Sequence, residues 1–241
     1  VGIVNQKRLY EQQIAAWQDT TRADIQKVDF GLLERLYAKA SSLQYIFTNW
    51  SETFTRRSNI EFNARALKLY RGMPIYGPKN HRKKQYQKFE DNSSEWDAPT
   101  DKEMMAALLK NYRDHVDSSW YPHFFKTIDQ QFGGDYQKYV DYLYGKSFIM
   151  KSGENIYSNR KSYKQDPGVQ YGIDVMDIYA DIQEKSSSIE DSIAEIEKYL
   201  CAAKIRMEQD MPHYSDANFT MRLSYGQVGG FELDGKPSGY Y

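Results

Sequence analysis

Three aspartates form the most regular set of chemically active side chains in the sequence. Asp174, Asp177 and Asp181 are spaced at i, i+3 and i+7, so they share one face of a helix whose other face begins with Val175. Carboxylates in such a row can bind calcium or carry out acid–base catalysis. Such a row is more often the solvated side of an amphipathic helix, and we favour that interpretation over a metal site.

The histidines and the single cysteine add no metal or nucleophile site. None of the histidines forms an H-E-x-x-H frame or an i, i+4 pair, and we predict ordinary surface roles for them. They are His81, His115, His123 and His213. Cys201 excludes an internal disulfide, and its apolar neighbours Leu200 and Ala203 predict a buried free thiol.

A short basic run is the one feature that suggests nucleic acid. Residues His81–Lys88 read HRKKQYQK, and Tyr86 with Phe89 could stack on bases. Because 32 Lys plus Arg oppose 33 Asp plus Glu, a net charge of -1 attracts neither nucleic acid nor an anionic membrane. We therefore interpret the run as a solvated helix face. P-loop, G-x-G-x-x-G, G-x-S-x-G and EF-hand motifs are absent, so the sequence offers no catalytic, cofactor-binding or metal-binding residue.

The composition predicts a large aromatic core. The 241 residues include 21 Tyr, 11 Phe and 4 Trp, whose rings supply buried surface with polar edges. No apolar run approaches the roughly 20 residues that a membrane-spanning helix needs. The sequence starts at Val1 without an initiator methionine or a leader, so we expect a piece of a longer or processed chain.

Apolar spacing predicts helices along most of the chain. The first are Ile3–Gln18, Leu32–Arg57 and Asn59–Tyr70, and the glycines and prolines of Gly72–Pro78 end the pattern. The longest of these helices has an apolar face made by Leu36, Ala40, Leu43, Phe47, Trp50 and Phe54.

Caps and glycines mark the later helices. A capping box of Thr100 and Glu103 predicts a helix start, and Phe124–Phe132 and Tyr136–Tyr144 are shorter helices separated by two glycines. The apolar face of the helix that follows the capping box is predicted to contain Met104, Leu108 and Tyr112.

Two further helix starts follow. Asp166 before Pro167 opens one helix, and a capping box of Ser187 and Glu190 opens another that continues to Pro212. The second has an apolar face made by Ile189, Ile193, Ile196, Leu200, Ala203 and Met207.

After Pro212 the apolar period changes from that of a helix to that of a strand. The alternating apolar residues, with polar residues between them, are Phe219, Met221, Leu223 and Tyr225. A lone strand leaves its backbone donors and acceptors unpaired, so we expect it to pair with a segment outside this chain. The predicted fold is mainly α, an irregular multi-helix bundle over residues 1–212 followed by a strand and turn segment over residues 213–241.

The beginning of that last segment carries a family signature. Residues Tyr214–Gly226, YSDANFTMRLSYG, resemble the Y-P-D-A-N-x-T-M-R-L-x-Y-G segment of the bacterial dipeptidyl peptidases of the type VII and type XI group, serine peptidase family forty-six. The chain departs from the pattern at Ser215, where the family has proline. The segments VNQKRLYEQQIAAW and DYLYGKSF are similar to the family's first long helix and to its approach to the final helices.

The resemblance implies a fold and an activity for the parent protein. The helical part would be an insertion in a chymotrypsin-like double β-barrel that lies outside this chain, and the predicted strand would belong to that barrel. The parent would remove dipeptides from peptide N-termini with a Ser-His-Asp triad, no residue of which can be assigned in this chain. The helical part would act as a lid over the active-site cleft, with hinges near Val1–Asn5 and Met211–Ser215.

The resemblance also implies a location and partners. The family is associated with the periplasm of Bacteroidetes. The implied partners are a peptide substrate, the β-barrel domain of the same chain and, in a homodimer, a second copy, whereas no cofactor, nucleic acid or membrane span is implied. This chain by itself would be catalytically inactive. The main alternative is a non-enzymatic helical binding module whose Tyr and Trp residues bind a peptide or glycan, although aromatic residues within helical stripes favour a core.

Overall fold

The computed structural model describes most of the predicted helical region. Described are residues 2–20, 26–72, 97–150 and 165–211, together with 221, 223, 225–226, 229–230, 232–233 and 235–237. The α-helices within these ranges are α1 (Gly2–Thr20), α2 (Phe30–Phe54), α3 (Glu61–Gly72), α4 (Ala98–His115), α5 (Phe124–Phe132), α6 (Tyr136–Lys146) and α7 (Pro167–Met207). Short 3-10 turns occur at Arg56–Ser58, Ser118–Trp120 and Phe148–Met150. The fold is mainly α, as predicted.

The chain divides into two compact units. The larger unit is Gln26–Leu200, and the smaller unit combines Val1–Ile25 with Cys201–Tyr241. Helix α7 contributes residues to both units. The domain boundary predicted between residues 212 and 213 stays a prediction.

Aromatic rings fill the core of the larger unit. Phe54, Phe62 and Tyr171 are almost completely buried. The Tyr171 ring centroid lies 6.4 Å from that of Phe54, 5.6 Å from that of Phe62 and 4.8 Å from that of Phe124, separations typical of packed aromatic pairs. The buried Tyr171 hydroxyl donates to Asn63 Oδ1 at 2.6 Å. The predicted aromatic core, with hydrogen-bonded polar edges, is confirmed for the described residues.

Helices α5 and α6 begin at the predicted residues, and the turn between them is set by local signals. Helix α5 ends at Phe132, and its cap residue Gly133 has a φ of 63°, in the left-handed region that favours glycine. Asp135 then caps α6 by accepting a backbone N–H of the first turn at 3.0 Å. Helix α2 ends at Phe54 rather than at the predicted Arg57, because Thr55 is extended and starts a 3-10 turn.

The start of α4 corrects one prediction. Its N-cap is Asp97, which accepts the Thr100 backbone N–H at 3.0 Å, so Thr100 and Glu103 do not form the predicted capping box. An Asp followed by proline in the first turn is the stronger start signal. The apolar face differs as well, since Met104 is exposed and Leu108 only half-buried. The apolar side chains that this helix buries are Met105, Leu109 and Tyr112.

One long helix replaces two predicted ones. Helix α7 is continuous over 41 residues, so Ser187 does not start a new helix. Residues 186–188 are all serine, so no glycine or proline breaks the helix there. Ser192 Oγ donates to the Ser188 carbonyl at 2.9 Å, as serine does within helices. The predicted apolar face is confirmed by the burial of Ile193, Ile196 and Ala203.

The described part of the C-terminal segment contains a small hairpin. Strands β1 (Glu232–Leu233) and β2 (Lys236–Pro237) pair antiparallel, and Gly235 between them has a φ of 73°. The predicted strand is not found at its described positions, which are Met221, Leu223 and Tyr225. A strand needs a hydrogen-bonded neighbour, and among the described residues β1 and β2 pair with each other. Phe219 lies outside the described residues.

Candidate functional site

The three aspartates in the row on α7 differ in their exposure to solvent. Asp177 and Asp181 are exposed, as a solvated helix face predicts, whereas Asp174 is half-buried. The described residues contain no group of three or more His, Cys, Asp or Glu side chains suited to a metal ion. Among the described residues, Asp174, Asp177 and Asp181 therefore have no further side chains beside them that would complete a metal site.

Asp174 contacts the N-terminal end of α5. Burial raises the pKa of its carboxyl to about 6, opposed by the charge of His123 and by a hydrogen bond from the Phe124 backbone N–H. His123 is the N-cap residue of α5 and makes no side-chain cap bond of its own. Asp174 therefore supplies, from another helix, an acceptor for this helix end.

Asp174→Asn is expected to stabilise the chain at about pH 8 and to have little effect at about pH 4. The pKa of Asp174 is raised from 3.8 to about 6 in the folded state, so the fold is most stable while this carboxyl is protonated. The stability that protonated Asp174 contributes is lost as the pH rises through about 6. Asparagine keeps an acceptor for the Phe124 N–H and has no charge to desolvate. After discounting for the solvent that reaches Asp174, we expect a gain of about 1 kcal/mol in urea unfolding at the higher pH.

Asp177→Asn is the matched control for this prediction. Asp177 lies one turn further along the same helix and is exposed, so its substitution should change the unfolding free energy at neither pH. An equal gain from both variants would contradict the role of burial at Asp174. A gain from Asp174→Asn that persists below about pH 4 would contradict it as well.

The other candidate side chains do not converge on a site. Cys201 is exposed, so its predicted burial is wrong. It follows Leu200 directly and therefore lies about 100° around the helix from the apolar face. His115 is exposed, and its Nδ1 lies 2.9 Å from a backbone carbonyl oxygen of its own helix. The basic run His81–Lys88 and His213 lie outside the described residues.

The described tryptophans belong to the core rather than to a binding surface. Trp50 and Trp120 are buried, and Trp17 is half-buried. Rings that are enclosed in this way cannot stack on a sugar or a peptide from solvent. The described tryptophans therefore favour the core interpretation over the aromatic binding module, whereas several tyrosines, Tyr37, Tyr45, Tyr70 and Tyr142, are exposed.

The smaller unit brings together segments from both ends of the chain. The Tyr10 hydroxyl of α1 donates to the Glu208 carboxylate, and Lys204 Nζ lies 5.7 Å from the centre of the Tyr10 ring. Burial, together with the nearby carboxylate, raises the pKa of Tyr10 to about 12. The first helix and the end of the last helix are therefore in direct contact.

The smaller unit also exposes large apolar side chains. Met221, Leu223 and Tyr225 are 99%, 83% and 92% exposed. Ile3 and Met211, near the two ends of the helical region, are exposed as well. Single exposed apolar residues are common, but a set at i, i+2 and i+4 has the spacing of one face of a strand. No helix in the described ranges combines the length and apolar character needed to cross a membrane.

A groove lies between α2 and α7 in the larger unit and is called here the α2–α7 groove. Its volume is about 420 Å³, and it is open to solvent, since Ser41, Gln44, Gln183 and Glu190 along it are exposed. Its larger apolar lining residues are Leu43, Phe47, Ile182 and Ile189. Its polar lining residues are Ser41, Gln44, Gln183, Ser186 and Glu190. Sequence analysis did not predict this groove.

Comparisons with known proteins identify relatives of the whole chain. Residues 2–241 match the family described as Peptidase S46. A dipeptidyl-peptidase 7 of Porphyromonas endodontalis is 29% identical over 260 residues, covering 100% of this chain and 30% of that protein. An Asp/Glu-specific dipeptidyl-peptidase of Porphyromonas gingivalis is 26% identical over 150 residues, covering 61% of this chain and 21% of that protein.

One solved structure has a similar fold. The crystal structure of Porphyromonas endodontalis DPP11 superposes with a TM-score of 0.50 at 18% identity, covering 93% of this chain and 36% of that one. Its complex with the dipeptide Arg-Glu superposes with a TM-score of 0.48 at 17% identity, covering 94% of this chain and 37% of that one.

Proposed function

Because the chain belongs to the peptidase S46 family, we propose that it is the helical lid of a serine-type dipeptidyl peptidase. The chain spans about 30% of the length of one curated relative, and the match to a second covers 21% of that protein; both are named dipeptidyl-peptidases. The proposal therefore assigns the catalytic triad and the substrate pocket to a part of the protein outside this chain. The proposed substrate is a peptide with a free N-terminus, the proposed location is the periplasm, and the proposed chemistry needs no cofactor.

The exposed C-terminal segment is the observation that carries the proposal. Met221, Leu223 and Tyr225 have strand spacing and are almost fully exposed, which fits a segment that adds to a sheet of the remaining protein. The contact between Tyr10 and Glu208 supports the same view, since an inserted domain leaves and re-enters its host at neighbouring points. A binding module would not require either feature.

In this proposal the helical region covers the active-site cleft and moves when peptide binds. The hinges are Val1–Asn5 and Met211–Ser215, where the chain enters and leaves the helical region. In the catalytic part, a serine attacks the second peptide bond, a histidine takes and returns the proton, and an aspartate orients the histidine. The lid would exclude water and long or folded substrates from this reaction.

The test uses the longer protein that contains this chain and measures release of N-terminal dipeptides from reporter peptides. We expect release that a serine-directed inhibitor abolishes, and no release by the chain of 241 residues alone. Absence of release by the longer protein from a broad set of reporters would contradict the enzyme assignment. The exposed Cys201 offers a site for a spin label that reports the lid motion.

The lid role is tested by a separate measurement on the same protein. A label at Cys201 and a second label in the catalytic part should move closer when a non-cleaved peptide analogue binds. A distance that does not change in a protein that still releases dipeptides would contradict the lid role alone. An unlabelled sample measured for activity in parallel serves as the control.

A further inference from the structure

Helix α7, all of which the structure describes, has a central stretch without a buried side chain. Ile182 and Ile193 are buried, whereas the residues between them, 183–192, are exposed or half-buried and are called here the middle segment of α7. In α2, by comparison, Leu43 and Trp50 are buried seven residues apart. Because packing of an apolar face supplies most of the stability of helices in proteins, the middle segment lacks the main source of that stability.

The composition of the middle segment weakens the helix further. It contains the three serines 186–188 and also Ser192. Serine forms helices less readily than alanine, because its hydroxyl competes for backbone hydrogen bonds. Ser192 Oγ donates to the Ser188 carbonyl at 2.9 Å, a bond of the kind that bends helices. Burial and composition therefore both make the helix weak over the same residues.

Ile189 and Lys185 connect the middle segment to the core of the larger unit. Ile189 is the one apolar residue of the segment, and it packs against the core while half-buried. Lys185 Nζ lies 4.2 Å from the centre of the Trp120 ring. Partial burial stabilises less than full burial, and a long lysine side chain can keep such a contact while the backbone moves. Neither contact holds the backbone of the segment rigidly.

The N-terminal flank of the middle segment belongs to the core of the larger unit. Trp50 Nε1 donates to the Val175 carbonyl at 2.9 Å, and the Trp50 ring lies 4.9 Å from that of Tyr179. Ile182 is the last buried α7 residue in the core that the structure describes. This part of α7 is therefore fixed by buried contacts.

The C-terminal flank packs in a separate place. Ile193 and Ile196 are buried, but among the described residues the core that contains Ile182 does not include them. The Tyr37 hydroxyl of α2 donates to Glu197 Oε1 at 2.6 Å at an exposed position, where water competes for both groups. The middle segment therefore lies between two packed regions, and the second of them is tied to α2 at the surface.

We propose that α7 bends at its middle segment, so that the flank from Ile193 onward moves while the flank up to Ile182 stays in the core. Hinges are short stretches that absorb backbone changes, and helix kinks occur at serine and glycine as well as at proline. Bending breaks the hydrogen bond between Tyr37 and Glu197, which therefore favours the conformation seen in the structure. The bend follows from the packing and composition of α7 and does not rest on the proposed function.

Hydrogen exchange of the full chain, followed by NMR, tests the local stability of the middle segment. We expect the backbone amides of residues 187–192 to exchange about tenfold or more faster than those of residues 175–182. Ser187→Ala combined with Ser188→Ala should slow exchange in the segment about fivefold, since both positions are exposed and alanine adds only helix propensity.

A second pair of serines provides the matched control. Ser41 and Ser42 are adjacent and exposed in α2, so their combined replacement by alanine makes the same chemical change in another helix. This control should leave exchange in the middle segment unchanged. Circular dichroism checks that each variant folds.

Residual dipolar couplings distinguish a bend from local opening alone. We expect residues 193–200 to show a lower degree of alignment than residues 175–182, because averaging over several orientations reduces the couplings. Tyr37→Phe should lower the alignment of residues 193–200 further, since it removes the hydrogen bond to Glu197. The variant with alanine at both Ser187 and Ser188 should raise it.

The outcomes separate this inference from the proposed function. Equal exchange rates in residues 187–192 and 175–182, or equal alignment of the two flanks of the middle segment, overturn the bend. Fast exchange that the double alanine change in α7 does not slow, or that the control in α2 slows equally, overturns it as well. Each of these results leaves dipeptide release by the longer protein unaffected, and absence of that release leaves the bend unaffected.

Discussion

Asp101→Ala is expected to lower the free energy of unfolding by about 3–5 kcal/mol, since it removes the acceptor of three buried or partly buried donors. Asp101 lies in the first turn of α4 and is buried. Its carboxylate accepts the Glu61 backbone N–H at 3.0 Å, the Phe62 backbone N–H at 3.5 Å and the Tyr144 hydroxyl. One side chain therefore caps α3 and holds α6 to α4.

The size of the effect follows from the donors that lose their acceptor in Asp101→Ala. The N-terminal N–H groups of α3 have no partner within their own helix, and Asp101 satisfies them from α4. Burial, together with the bond to Asp101, raises the pKa of the Tyr144 hydroxyl far above its usual range, so it remains a donor at neutral pH. Alanine removes the acceptor of these donors in a place that water reaches poorly.

Urea unfolding followed by far-UV circular dichroism measures this effect. Asp97→Ala is the matched control, because Asp97 caps α4 itself at an exposed position and its loss should destabilise far less than the loss of Asp101. Tyr144→Phe should lie between the two, since it removes one donor and keeps the bonds to α3. A loss at Asp101 no larger than that at Asp97 would contradict the proposed link between three helices.

Local signals in the sequence predicted most of the helices correctly. The start of α6 at its cap Asp135, the end of α5 before Gly133 and the start of α7 at its cap Asp166 depend on residues within a few positions of the helix end. The family resemblance drawn from Tyr214–Gly226 is also a local pattern, and the match over residues 2–241 confirms it.

The wrong predictions arose where two local signals competed for one helix start, or where the position of a side chain around the helix axis determined its burial. Asp97 and Thr100 both resemble caps, and the proline after Asp97 favours the earlier start. Ser187 resembles a cap too, yet the helix before it continues because no breaker ends it. Cys201 follows Leu200, and a step of one residue is enough to turn a side chain out of the apolar face.

The α2–α7 groove could not be predicted because its walls are distant in sequence. Trp50 and Val175 are separated by 125 residues, and Tyr37 and Glu197 by 160. Periodicity shows which face of each helix is apolar, but it does not show which helix packs against it. The same holds for Asp101, whose bond to Glu61 joins residues 40 apart.

Gly168→Ala is expected to lower the free energy of unfolding by about 2–3 kcal/mol, because the first turn of α7 is packed without room for a methyl group. A Cβ at position 168 would lie 2.4 Å from Ser147 Oγ, 2.6 Å from Ile149 Cδ1 and 3.0 Å from Phe62 Cζ. These separations are far shorter than normal contacts between non-bonded heavy atoms.

The neighbours of Gly168 cannot move aside easily. Ser147 Oγ donates to Asp166 Oδ1 at 2.6 Å and accepts the Ile149 backbone N–H at 3.1 Å, so its rotation would break two buried hydrogen bonds. Asp166 also accepts the Gly168 backbone N–H at 2.9 Å, which ties the glycine to the same group. A methyl group therefore forces the start of α7 and the turn after α6 apart.

Gly145→Ala in α6 is the matched control, and the two variants are expected to shift the unfolding midpoint in opposite directions. A Cβ at position 145 would meet nothing within 4 Å, so alanine there adds helix propensity and should stabilise by about 0.5–1 kcal/mol. The same urea titration measures both variants. Stabilisation by both would mean that the first turn of α7 adjusts freely, and the tight packing around Asp166 would then not hold α7 in place.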